Sequence, residues 1–502
     1  MDGPLLSIDL DRGRPIVAQL VAALRRGILT GALRADDPVP STRSLATELG
    51  VSRSSVVAAY DQLAGEGYLE QRQGAATRVA AVPSAGRRAA DEVSALVDGS
   101  PSHDTVAALP TRPADGAAAI DLTPGRPSTA RLDQRAWRAA WRAAAASVVP
   151  SDPPPPFGLP ALRDQLADHL RQARGITCAG RDVVITGGTS EGLGLLALAL
   201  RDRLGRAPRI AVEDPGYPGG RRALQRHGAT LLPLRVGVDG LDVAALRAVG
   251  RLDAVMVTPS HQYPIGGRLP IADRIALLDW AREHDAIVIE DDYDSEFRHT
   301  GAPLPALASL DTDRVVLVGS FSKVLTPRLR LGHLVLPADA ALRAAVESAR
   351  VDIATPVAGP VQVAMAALIE SGALRRHIAA ARRDYAHRRR LVIDALEALP
   401  GTRLIALAGG LHAVLEFESE SASESAPADP GAETQAVQAL ETGGIAVARL
   451  SDYALDPDLP DTRRGLVIGY AAVGDAQLVA ALGRVRDVVR ATLDLGAVGP
   501  LG

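Results

Sequence analysis

Lysine is almost missing from this chain of 502 residues: Lys323 is the one lysine, although Lys and Arg together number 55. Arginine can replace lysine wherever a fixed positive charge suffices, but its guanidinium does not give up its proton in proteins. The lone amine is therefore either a surface lysine that survived or a nucleophile kept because it must attack a carbonyl. Cysteine is equally scarce. A single Cys178 excludes an internal disulfide and any cysteine-cluster metal site, and it fits a reducing cytoplasm. No apolar run approaches the roughly 20 residues that cross a bilayer. Met1-Asp2-Gly3-Pro4 lacks the basic-then-apolar form of a signal peptide, so a cytoplasmic protein without a membrane segment is expected. Ten histidines fall at no metal-ligand spacing. A net charge of −4 does not announce a nucleic-acid binder, so such a role must be argued locally. The length calls for two or three domains.

Ile16, Val17, Leu20, Val21, Leu24 and Ile28 recur at helical spacing and form one buried stripe. Further on, Ser41 can cap a short helix, Gly50 suits the left-handed residue that ends it, and Ser52 caps the next. Two short helices about a glycine turn make a helix-turn-helix. In the second helix Val56, Tyr60 and Leu63 face inward, leaving Arg53, Ser54 and Ser55 in an exposed first turn, the part that meets base edges in a major groove. Gly67-Tyr68-Leu69 then leads through Gly74 to Thr77-Arg78-Val79, a two-stranded wing. Pro40 to Arg53 and Ala59 to Leu69 resemble the winged helix-turn-helix of the GntR family. The resemblance implies that Arg43, the run Ser52, Arg53, Ser54 and Ser55, and Gly74 in the wing touch double-stranded DNA. The wing departs from the family's Gly-Ser-Gly-Thr by reading Gly74-Ala75-Ala76-Thr77.

Residues 81–118 are rich in Ala, Pro, Ser and Gly without a sustained apolar period, which predicts a flexible linker between a head of residues 1–80 and a body of 119–502. A second such stretch, the acidic 418–432, is expected as a solvated loop within a smaller C-terminal part of about 341–502.

In the body, short β-branched runs at Val183–Ile185, Arg209–Val212, Ala254–Val257, Ile287–Ile289, Val315–Val318 and Leu334–Leu336 alternate with helical stretches. That pattern predicts an α/β fold on a mostly parallel sheet, with ligands at the carboxyl ends of its strands. Thr186 to Gly192 joins a strand to a helix start, where glycines and the hydroxyls of Thr189 and Ser190 suit an anion. Tyr217, after the next strand, can lie flat on an aromatic ring. The strand Ile287–Ile289 runs into Glu290, Asp291, Asp292, Tyr293 and Asp294, and a carboxylate in so dry a place needs a cationic partner. Ser320-Phe321-Ser322-Lys323 follows the run Val315–Val318, and Arg328 and Arg330 can grip a phosphate.

Taken in order, these motifs resemble the fold-type I enzymes of the aminotransferase class. The resemblance implies pyridoxal 5'-phosphate (PLP) in Schiff-base linkage to Lys323. It also implies Asp291 at the pyridine nitrogen, Tyr293 at the ring hydroxyl, Tyr217 stacked on the ring, and Thr189, Ser190, Ser320 and Arg330 at the phosphate. A GntR-like head on such a body is the layout of the MocR regulators, which "TPSHQ-x-P-x-G" (258–266), "IEDDYDSEF" (289–297) and "SFSK-x-L-x-P-x-LRLG" (320–332) also resemble. The fold class implied is an all-α winged helix-turn-helix domain plus an α/β fold-type I transferase-like domain with a smaller C-terminal part.

The chain departs from a working transaminase in three places. Tyr263 stands where the Asn of Asn-Pro-x-Gly belongs, Val467 where an arginine grips the substrate carboxylate, and Pro150 to Pro156 offer no tyrosine to a neighbour's phosphate. Arg449, Arg463 and Arg464 are candidate substitutes for the missing arginine. A site without that ion pair loses a few kcal/mol of binding, roughly the worth of a charge-assisted pair. The expectation is a head-to-tail homodimeric regulator that senses PLP, or PLP with an amine or amino acid. The competing readings are an active aminotransferase carrying a DNA-binding head, and a repressor whose body has lost the cofactor.

Overall fold

The structure, a computed structural model, describes residues 10, 16–29, 32–65, 68–70, 77–80, 120–299, 305–353, 357–418, 430–459 and 461–496. Gly74, the linker 81–118 and most of the acidic stretch lie outside the described residues.

The head comprises α1 (Ile16–Leu29), α2 (Thr42–Leu49) and α3 (Arg53–Gly65), followed by the antiparallel pair β1 (Leu69–Glu70) and β2 (Arg78–Val79). Its local chemistry follows the sequence. The Ser44 N–H donates to Ser41 Oγ at 3.1 Å, and Gly50 closes α2 at φ +62°. The Ser55 N–H donates to Ser52 Oγ at 3.1 Å, a cap of the kind worth about 1 kcal/mol. Leu20, Val21, Leu24 and Ile28 of α1 and Val56, Tyr60 and Leu63 of α3 are buried against one another.

The body opens with β3 (Ile120–Asp121), α4 (Gln134–Ala146) and α5 (Pro160–Arg174). Strand and helix then alternate through β4 (Val183–Thr186), α6 (Thr189–Leu204), β5 (Arg209–Asp214), α7 (Pro218–Arg226), β6 (Thr230–Gly237), β7 (Gly240–Leu241) and α8 (Val243–Ala248). Next come β8 (Ala254–Val257), α9 (Ile271–His284), β9 (Ile287–Asp292), α10 (Leu307–Leu310), β10 (Val315–Ser320) and β11 (Gly332–Val335). Eight of these strands form one sheet in the order β4-β11-β10-β9-β8-β5-β6-β7. The run from β10 to β6 is parallel, whereas β11 lies antiparallel to both β10 and β4. The sixth expected strand, Leu334–Leu336, is thus shifted to Gly332–Val335 and reversed in direction, because the chain turns straight back after Arg330 instead of crossing through a helix.

Both faces of the sheet are covered, which is why its strands read as unbroken apolar runs. Val184, Val212, Ile289 and Val318 face one apolar layer, and Ile185, Ala211, Val288 and Leu317 face the other.

The C-terminal part holds α11 (Ala340–Ile353), α12 (Gly359–Glu370), α13 (Ala373–Leu396), β12 (Thr402–Ile405), β13 (His412–Phe417), α14 (Pro430–Thr442), β14 (Ile445–Ala446), β15 (Ala448–Arg449), β16 (Gly465–Gly469) and α15 (Asp475–Gly496). Two readings are corrected here. The expected loop 418–432 gives way to α14 at Pro430, because Ala432, Ala436, Val437 and Leu440 pack into the main core. In addition, β3 pairs in parallel with β14, so the start of the body belongs to the C-terminal part, through a strand too short to leave a sequence signal.

A candidate cofactor site and DNA-reading head

The carboxyl ends of β9 and β10 converge because the two strands run in parallel register, with Val318 opposite Asp291 and Gly319 opposite Asp292. Strand alternation turns Asp291 toward the layer shared with Ile287 and Ile289, the side on which α6 lies. Asp291 is 4% exposed, and its Oδ1 has no hydrogen-bond partner among the described residues. Burial, reinforced by Asp292 and Glu213, raises its pKa to about 8 against the pull of Lys323. Lys323 responds in the opposite sense: burial lowers its pKa, and Asp291 and Asp294 oppose the shift. Its Nζ donates to the carbonyl of Gly125 at 2.9 Å. An amine biased toward its neutral form beside a carboxyl with an unmatched buried oxygen is the donor set that an aldehyde on a protonatable aromatic nitrogen requires. The residues present fit PLP.

Thr189, Ser190 and Arg330, expected at the phosphate, meet at the start of α6. Gly188, at φ +105°, opens α6, so Thr189 and Ser190 occupy its first turn. A Cβ placed on Gly188 would lie 3.8 Å from the Arg330 guanidinium, which therefore sits across the helix start. Arg330 itself adopts the left-handed region at φ +47°. Ser320 Oγ donates to Ser322 Oγ at 3.0 Å and accepts from the Ser322 N–H at 3.1 Å, which fixes the turn before Lys323. Tyr217 occupies the N-cap of α7, and burial raises its pKa while nearby Ser190 opposes the shift. Arg328 is exposed on the turn Pro327–Leu329.

Tyr293 is tied to a neighbouring pair of side chains. Its hydroxyl lies 3.0 Å from His261 Nδ1, which in turn lies 2.8 Å from Asp294 Oδ2. Tyr263, the residue in the asparagine slot, is the hub of a ring cluster, with centroids 5.3 Å from Tyr293, 5.2 Å from His412 and 5.3 Å from Tyr453. Burial depresses the His412 pKa to about 4, and its Nε2 lies 2.9 Å from the Pro264 carbonyl oxygen. Sequence reading passed over His261, His412, Asp294, Tyr453 and Gly125. His261 lies inside a motif that had already been singled out, whereas Tyr453 and Gly125 are remote in sequence and carry no local signal.

Val467 is fully buried in an apolar cluster with Ile265, Val414, Ala448 and Leu450. The three arginines proposed as substitutes are engaged or turned away. Arg463 holds Glu416 through Nε and through Nη2 at 2.9 Å. Arg464 donates to the Pro457 carbonyl at 2.8 Å, and Arg449 is exposed.

In the head, Arg43 is exposed on α2, and Ser52, Arg53 and Ser54 are exposed around the start of α3, with Ser55 half-buried behind them. Ser52 Oγ lies 2.9 Å from Ser54 Oγ and 2.7 Å from Ser55 Oγ, so the three hydroxyls form one patch beside Arg53.

Residues 119–485 match the family described as aminotransferase class I and II, and residues 16–79 match the bacterial regulatory proteins of the gntR family. The chain is 40% identical over 475 residues to the HTH-type pyridoxine biosynthesis transcriptional regulator PdxR of Corynebacterium glutamicum, covering 94% of this chain and 96% of that one. It is 35% identical over 412 residues to the probable rhizopine catabolism regulatory protein MocR of Rhizobium meliloti, covering 78% of each. Among solved structures, the kynurenine aminotransferase of Pyrococcus horikoshii superposes with a TM-score of 0.64 at 22% identity, covering 75% of this chain and 92% of that one. Among the described residues no helix is long and apolar enough to cross a membrane. With a GntR helix-turn-helix on a fold-type I aminotransferase body and full-length kinship to PdxR, the chain belongs to the MocR-type family of transcriptional regulators.

Proposed function

We propose that this protein is a cytoplasmic, DNA-binding regulator whose body holds PLP as a sensed ligand and does not turn over amino acids. When bound, the cofactor would supply an electrophilic carbon to Lys323 and a ring nitrogen to Asp291. Tyr217 would lie on the ring, Tyr293 would be in reach of its hydroxyl, and Thr189, Ser190, Ser320 and Arg330 would hold the phosphate. The observation that carries this reading is a half-buried lone lysine, bonded to the Gly125 carbonyl, together with a buried Asp291 whose Oδ1 has no partner among the described residues; apolar Val467 is buried at the position where the resemblance calls for a carboxylate grip. On this reading the residues that would hold the cofactor outnumber those lost, whereas the cation that would grip an amino-acid carboxylate is missing.

Arg43, Ser52, Arg53, Ser54, Ser55 and Gly74 are proposed to contact double-stranded DNA, by the GntR resemblance. A homodimer fits paired half-sites, and the 90% and 89% exposure of Val148 and Val149 supplies apolar surface for a partner copy. The name of the Corynebacterium relative supports genes of vitamin B6 synthesis as targets. A ligand can bias the heads only by binding one arrangement of the protein better than another. The test is operator binding to the DNA flanking its own gene, with and without PLP. Equal affinities across saturating PLP would contradict the reading.

A further inference from the structure

Val467 shares its buried apolar wall with Tyr453, 8% exposed, together with Ile265, Val414 and Leu450, and Tyr263 packs against the same cluster. The Tyr263 hydroxyl donates to the Tyr453 hydroxyl at 3.4 Å. Tyr263 in turn lies beside two residues expected at the cofactor, with ring centroids 6.2 Å from Tyr217 and 5.3 Å from Tyr293. Two phenol rings in contact thus link the expected ring position to the wall where an amino-acid substrate would need a cation.

Tyr453 is held there from two sides. On one side Arg221 of α7, 4% exposed, donates through Nη2 to the carbonyls of Tyr453 at 2.8 Å and Ala454 at 3.0 Å, and through Nη1 to Asp214 Oδ1 at 3.3 Å. Asp214 Oδ1 also accepts from the Leu455 N–H at 2.8 Å, and the Tyr453 carbonyl accepts from the Gly216 N–H at 3.0 Å. On the other side Glu433 of α14, 1% exposed, accepts from the N–H groups of Ser451 at 3.1 Å and Gly465 at 2.9 Å, and from the Ser451 hydroxyl. A buried guanidinium or carboxylate is tolerated only where its partners are met in good geometry. These bonds therefore fix residues 451–455 against the turn that carries Tyr217, and they occupy the Arg221 charge with Asp214 and two carbonyls.

We propose that Tyr453 is a specificity-determining residue, which with Tyr263 fills the room that the carboxylate of an amino-acid ligand would take, and that Arg221 is the positioning residue that holds it there. The inference rests on the regulatory reading above and deepens it by naming the ligand class: PLP without an amino acid. A carboxylate brought to this wall would have to displace packed rings, and it would meet a guanidinium already bonded at Arg221. Burial raises the pKa of both phenols, which keeps them neutral.

The experiment titrates the PLP-loaded protein with ethylamine and with alanine, which differ by one carboxylate, and follows the visible absorbance, with PLP affinity measured alongside. The wild type and Tyr453→Phe, which keeps the ring, should respond weakly to both. Tyr453→Ala should lower the half-saturating concentration of ethylamine by about tenfold or more. It should take alanine less well than ethylamine, because no cation is gained. If Tyr453→Ala does not fold, Tyr453→Leu, which keeps apolar packing, decides in its place. Arg221→Met should shift ethylamine in the same direction, and by more than it shifts PLP affinity, with Arg221→Lys between it and the wild type. A merely structural loss would weaken PLP equally. An ethylamine response unchanged in both Tyr453→Ala and Tyr453→Leu would overturn the proposal and leave PLP sensing intact. So would a wild-type response to alanine that Tyr453→Phe abolishes, since the phenol would then be a carboxylate grip. A wild type that takes up no PLP would overturn the sensing and the proposal with it.

Discussion

Lys323 Nζ donates to the carbonyl oxygen of Gly125 at 2.9 Å, joining residues that lie 198 positions apart. Gly125 sits at φ +87°, and a Cβ there would fall 2.3 Å from Nζ. Only glycine meets both demands without strain.

Gly125→Ala should therefore weaken PLP binding by about tenfold or more, the combined effect of a strained backbone and a displaced amine. Titrating PLP against the visible absorbance of the protein checks this. Operator binding without PLP should stay at the wild-type level, because the head is untouched. Unchanged PLP affinity would contradict the crowding.

Asp291 carries a pH signature. Its folded pKa, about 8, stands above the ordinary carboxylate range, so the folded cofactor-free protein binds more protons than the unfolded chain between about pH 4 and 8. Stability from this group is thus present at low pH and is lost as pH rises through that window. Asp291→Asn removes the contribution. Melting curves of the cofactor-free proteins from pH 5 to 8 should show the variant gaining on the wild type as pH rises. Parallel pH dependences would contradict the assignment. The same variant should bind PLP weakly at every pH.

Arg53→Ala should weaken operator binding by about 1–3 kcal/mol while leaving PLP absorbance unchanged. Ser52→Ala should lower the stability of the head by about 1 kcal/mol through loss of the α3 cap. Gel-shift or anisotropy titrations and thermal melts separate the two effects. Wild-type operator affinity in Arg53→Ala would count against α3 as the reading helix.

Much of this was legible in the sequence because the deciding features are local. The caps Ser41 and Ser52, the Gly50 turn and the inward stripe Val56, Tyr60 and Leu63 lie within a few residues of one another. The apolar strands announced themselves because both sheet faces are covered, and each delivers its polar residues at the carboxyl end. What stayed hidden is what only the tertiary fold assembles. The reversal of β11 depends on a turn after Arg330 that no propensity encodes, and β3 is two residues long. Gly125 meets Lys323, and Tyr453 meets Tyr263, only across folded lobes. Arg274 looked like any arginine on an amphipathic helix until three carbonyls closed around it. The engagement of Arg463 by Glu416 likewise had no trace in the linear chain.

Without a buried cation at Val467, mixtures of amino acids and 2-oxo acids should give no transamination above the rate of free PLP. Following 2-oxo acid formation with enzyme-scale protein concentrations checks this. Sustained turnover on any pair would restore the reading of a working aminotransferase with a DNA-binding head.

The most direct measurement uses the chain's solitary lysine. Borohydride reduction in the presence of PLP, followed by proteolysis and mass spectrometry, should place a phosphopyridoxyl group on Lys323, and Lys323→Ala should carry none within the body. An unmodified Lys323 after reduction at saturating PLP would contradict the account.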